Sequence, residues 1–156
     1  QLLGFFFSMR SVVAVIAGFI APVMARKIGS KIKVSFLGFL LGTLSVLLMG
    51  FSNKLWLTVI GFQIRMFAIS MAVPLFDAFS MESMPDENRS VITSIRETFW
   101  IFGFAVGPYL SGLVQKSIGF FPIFMASGVF FGASALLVWL FWIRTKPQLA
   151  EINSAV

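Results

Sequence analysis

Five long apolar stretches run through the chain, at roughly 2–25, 34–52, 55–76, 95–115 and 119–143, and short segments holding most of the charges separate them. Each is close to the ~20 residues a helix needs to cross about 30 Å of hydrocarbon. Runs such as 34–41 and 133–142 do not alternate between apolar and polar positions, as the short strands of a membrane β-barrel would. Helices also satisfy their own backbone hydrogen bonds in lipid. The pattern therefore predicts an all-α, polytopic membrane bundle of five transmembrane helices over residues 1–146, followed by a tail at 147–156.

Composition sharpens this picture. Of 156 residues, 58% are hydrophobic and only 12% are charged, about half the charge of an ordinary soluble domain. There is no Cys and no His, which removes disulfides, thiolate chemistry, His-based metal sites and the imidazole proton shuttle. No phosphate-binding loop, nucleophile elbow or dinucleotide fingerprint is present, and no two carboxylates sit together at depth, so the chain is expected not to be an enzyme and to carry no cofactor or metal. The net charge of +6 does not point to nucleic acid, because the cations border hydrophobic runs instead of forming aromatic-interleaved patches. The chain opens on Gln1 and a Leu- and Phe-rich run without the cationic start of a signal peptide, and it is expected to be a fragment.

The cations divide unequally. Arg26, Lys27, Lys31 and Lys33 lie between the first two stretches, Arg89 between the third and fourth with Arg96 at the start of the fourth, and Arg144 and Lys146 after the fifth; the other two connections hold Lys54 and Lys116 alone. Eight cations against two places the first group in the cytoplasm by the positive-inside rule, with the C-terminus inside and the N-terminal end outside. A plasma-membrane location is expected.

Two ionisable side chains remain inside the spans. Arg65 lies about 16 Å from Lys54, near the bilayer midplane, where an uncompensated charge costs about 3 kcal/mol or more. A cavity-facing or ion-paired Arg65 is expected, with Gln63 beside it. Arg10 lies nearer the outer leaflet, where snorkelling competes with a functional role. The second and fifth stretches contain no charge, Asn or Gln, and are expected to face lipid, whereas the third borders a polar pathway. Asp77 and Glu97, at the ends of apolar stretches, are candidates for gating. Gly38/Gly42, Gly103/Gly107 and Gly128/Gly132, with Ala14, Ala17, Gly18, Ala21 and Ala25, mark small-residue seams for close packing. Pro108, directly after Gly107, is expected to kink the fourth helix.

The run Met84-Pro85-Asp86-Glu87-Asn88-Arg89-Ser90, followed by Arg96-Glu97-Thr98-Phe99-Trp100 and then by Gly103, Gly107-Pro108 and Gly112, resembles the tenth-to-eleventh helix region of major facilitator superfamily transporters. Upstream, the segment from Pro22 to Lys31 is similar to the family's cytoplasmic loop motif, matching at Lys27, Gly29 and Lys31. It departs from the motif at the acidic position, where Arg26 stands, and at the leading glycine, where Pro22 stands. The resemblance implies that the chain is the C-terminal half, helices eight to twelve, of a twelve-helix carrier. It further implies alternating access, a small-molecule solute with a coupling ion, the lipid bilayer and a missing N-terminal half as partners, and no nucleic acid. Arg65, Gln63 and Arg10 are then candidates for the substrate pathway. Lys27, Gly29, Lys31, Asp77, Pro85, Arg89, Arg96 and Glu97 are candidates for cytoplasmic gate and loop contacts, and Gly103, Gly107, Pro108 and Gly112 for helix packing. The alternative is a polytopic assembly subunit that transports nothing.

Overall fold

The computed structural model describes residues 2–140, with the side chains of residues 4 and 8–140 placed. The expected end of the fifth span at 143, Arg144, Lys146 and the tail at 147–156 lie outside the described residues. Five helices follow one another: α1 (Leu2–Ile28), α2 (Lys31–Phe51), α3 (Leu55–Glu82), α4 (Asp86–Ile118) and α5 (Phe121–Val138). Connections of two or three residues force successive helices to run in opposite directions.

Local chemistry sets the breaks. Gly29, with φ of +70°, ends α1 in the left-handed conformation that only glycine adopts cheaply. Ser30 then caps α2, its Oγ accepting from the Lys33 N–H at 3.4 Å. Gly119, φ +88°, closes α4 by donating its N–H to the Gln115 carbonyl at 3.1 Å, and Pro122 occupies the first turn of α5.

Two helices exceed the apolar stretches that announced them. The third continues to Glu82 instead of 76, and the fourth begins at Asp86 instead of 95. Hydropathy registers only the part of a helix suited to hydrocarbon, whereas Pro85 and the acidic Asp86 and Glu87 favour a helix start through backbone geometry and the helix dipole. Arg89, expected in the loop, therefore stands on a helical turn. Of the five helices, α1, α2, α3 and α5 are long and apolar enough to cross a membrane. The fourth falls short, because its flanking charges, three glycines, Pro108 and Tyr109 dilute its apolar residues.

The bundle is built on α2, which packs on α1, α3 and α5. This corrects the expectation that α2 is a peripheral helix. Lack of charge does not distinguish a lipid-facing helix from a central one, since lipid and neighbouring helices are equally apolar; small residues decide how near a neighbour comes. On the buried face of α2 stand Ser35, Gly38, Gly42 and Ser45, while Leu37, Leu40, Leu41, Leu44 and Leu48 face outward.

At Gly38 a Cβ would stand 2.6 Å from the Ala72 Cβ and 2.9 Å from the Ala68 carbonyl oxygen of α3. One turn away, the fully buried Ser35 donates its hydroxyl to the Ala72 carbonyl at 3.0 Å. Beside this seam Ala17, Ala21 and Ala25 of α1 bury against Val34, Met71 and Leu75. On the other side, α5 meets α2 where Gly128 fits against Leu47 and where Phe121 meets Phe51 edge-on at 5.5 Å.

The fourth helix is different. It has no buried residue, and Gly103, Gly107 and Gly112 have no neighbour within 4 Å of where a Cβ would stand. It runs as one helix through Pro108. Phe99, Trp100, Gly103, Phe104 and Pro108 line an open apolar pocket of about 350 Å³ on its surface.

Gly38→Ala is expected to destabilise the protein by about 1–3 kcal/mol, the usual cost of overpacking, because backbone on both sides blocks relaxation. At Gly42 the nearest atom to an added Cβ is on Phe131, at 3.8 Å, so Gly42→Ala is expected to be close to neutral. Thermal unfolding of the two variants in one detergent checks the contrast.

Candidate functional site

Polar side chains gather in two places. The first is the charged end of the bundle, where the last turns of α1 and α3 meet the first turns of α2 and α4. The chain direction alone puts these four ends together.

Here α3 is tied to both neighbours. Arg96 of α4 donates from Nη1 to Asp77 of α3 at 2.5 Å and from Nη2 to Glu97 at 3.3 Å. Lys31 of α2 donates its ammonium to Glu82 of α3. Arg89 pairs with Asp86 at 2.6 Å on the same helix and donates its Nε to the Met84 carbonyl at 3.2 Å, which closes the Pro85 turn against α4. Thr93 approaches Met81 Sδ at 3.8 Å.

The structure thus joins Asp77, Arg96 and Glu97, and it gives Lys31 and Arg89 carboxylate partners. Gly29 and Pro85 form the two turns at this end. Lys27 is exposed and makes no ion pair among the described residues. Glu82, at the end of α3, holds Lys31 while remaining largely exposed. Its partner lies 51 positions away, and only the antiparallel return of α3 beside α2 brings the two together.

The second place is deeper. Arg65 is half-buried on α3, with its Cζ 5.3 Å from the centre of the Phe131 ring of α5, a cation–π contact. Its Nε is buried and makes no hydrogen bond. No carboxylate pairs with it among the described residues. Arg10 of α1 is exposed.

Gln63 is half-buried two positions before Arg65, a spacing that directs two helical side chains to different sides. Arg10 and Arg65 lie on the neighbouring helices α1 and α3. What this arrangement offers chemically is a half-buried positive charge on Arg65 without a carboxylate partner among the described residues. Among the described residues, no group of three or more His, Cys, Asp or Glu side chains is placed to hold a metal.

The Arg96–Asp77 pair is more than a third exposed on both sides, so its coupling is small. A double-mutant cycle with Asp77→Asn and Arg96→Gln is expected to give about 0.5–1 kcal/mol at low salt and less at high salt, read by thermal unfolding.

Compared with known proteins, the chain matches a family model, the Major Facilitator Superfamily, over residues 1–155. No curated protein and no solved structure matches it.

Proposed function

The chain belongs to the Major Facilitator Superfamily, and from that premise we propose that it is part of a secondary active transporter, comprising helices eight to twelve of a twelve-helix carrier. The carrier moves a small solute by alternating access, rocking two six-helix halves about a site near the midplane. Two observations support the register: the order of the Pro85–Arg89 turn before the Gly103–Gly112 helix, and the polar character of α3. The eight-to-two division of cations supports a cytoplasmic C-terminus in a plasma membrane.

The observation that carries the transport reading is Arg65. A guanidinium held at mid-depth without a carboxylate partner among the described residues leaves a positive site for something outside this segment. That is either an anionic group of the solute or a carboxylate of the other half. Transport then needs the charge and not merely the volume of Arg65. At the charged end, Asp77–Arg96 and Lys31–Glu82 act as gate contacts that open and close with the halves.

A second reading has its own observation, the stacking of Arg65 on Phe131. In it, Arg65 only ties α3 to α5. The two are separated by measuring solute flux and thermal stability together in the full carrier. On the transport reading, Arg65→Gln lowers flux at least about tenfold, the equivalent of one lost charge-assisted contact, with little change in melting, and Phe131→Leu leaves flux nearly intact. Equal losses of stability in Arg65→Gln and Phe131→Leu with unchanged flux would overturn the site assignment.

A further inference from the structure

Between the end of α1 and the start of α2, over the flank of α3, lies a cavity of about 370 Å³ lined by Pro22, Ala25, Arg26, Gly29, Ser30, Lys31 and Leu75. Water occupies about 30 Å³ per molecule in the liquid, so this space takes a group the size of a phosphate ester. Its lining is divided by chemistry. Pro22 and Ala25 on α1 and Leu75 on α3 make an apolar wall on the membrane side. Arg26 and Lys31 stand towards the charged end, where α1 finishes and α2 begins.

The cations here exceed what the protein neutralises. Arg26, Lys27, Lys31 and Lys33 fall within eight positions. Among the described residues only Lys31 has a carboxylate partner, Glu82. An ammonium has three donors, so Lys31 can serve that carboxylate and a second oxygen acceptor together. Arg26 makes no ion pair among the described residues, and its fork of donors matches two oxygens of one phosphate. The first turn of α2 adds backbone N–H groups that the helix cannot satisfy itself.

We propose that this cavity holds the phosphate-bearing headgroup of an anionic phospholipid, with Arg26 and Lys31 on the phosphate oxygens and Pro22, Ala25 and Leu75 against the glyceryl end of the acyl chains. The apolar wall is what favours an amphiphile over a dissolved phosphate. The site needs only the membrane placement of the helices and not the transport reading, so either can fail without the other. Bound there, the lipid bridges α1, α2 and α3 on the turn between α1 and α2.

The test uses the full-length protein that carries this segment, purified in mild detergent and examined by native mass spectrometry with phosphatidylglycerol or phosphatidylcholine added. Wild type is expected to retain phosphatidylglycerol in preference, and Arg26→Gln to lower that retention about fivefold, the usual worth of one cation near an anionic surface. Lys54→Gln, at the opposite end, is expected to change nothing. Arg26→Gln retaining as much phosphatidylglycerol as wild type would overturn the proposal. So would a thermal stabilisation by inorganic phosphate, in phosphatidylcholine nanodiscs, equal to that given by phosphatidylglycerol, since the ligand would then be a soluble phosphate. Should Arg26→Gln fail to purify, wild type decides: its phosphatidylglycerol preference is expected to weaken as salt rises, and a preference unchanged in 1 M NaCl would refute it.

Discussion

Everything in the bundle hangs on how closely α2 and α3 approach. In lipid, helices gain little by hiding apolar surface from one another, because the hydrocarbon around them is equally apolar. What holds two of them is close packing and the few hydrogen bonds that closeness permits. Gly38 lets the backbones meet at Ala68 and Ala72, and the Ser35 hydroxyl then reaches the Ala72 carbonyl. A larger side chain at Gly38 would hold the helices apart and move that hydroxyl out of range.

From this seam the remaining placements follow. With α2 fixed on α3, the alanine face of α1 fills the angle between them, and α5 settles on the other flank of α2. Lys31, at the first turn of α2, is brought to Glu82 at the last turn of α3. The depth at which α5 lies sets Phe131 under Arg65. The fourth helix takes little part; its tie to α3 is electrostatic, through Arg96 and Asp77, and its glycines and aromatic side chains remain uncovered within this segment.

The two polar regions suit different tasks. Ion pairs at the charged end are half-exposed, so each contributes little to stability and can be broken or remade at little cost. Arg65 is in the opposite situation. Its charge lies where water is scarce, so whatever neutralises it gains more than it would at the surface.

How much of this could be read from the chain depends on the range of the physics involved. Membrane insertion depends on runs of about 20 apolar residues and on which connections carry cations, both local quantities. The five helices, the grouping of their charged ends and the odd position of Arg65 were accordingly legible in the sequence. Helix ends were less so, since residues 77–82 and 86–94 are helical for reasons of backbone geometry and dipole that hydropathy does not register. Local physics of the chain is enough to make this a polytopic helical membrane protein of the Major Facilitator Superfamily, with polar residues on α3 and at one end. The central place of α2, the hold of Glu82 on Lys31 and the position of Arg65 over Phe131 emerge from helix packing alone. Those depend on side chains 51 and 66 positions apart meeting across helices, and apolar sequence is equally compatible with a lipid neighbour or a helical one.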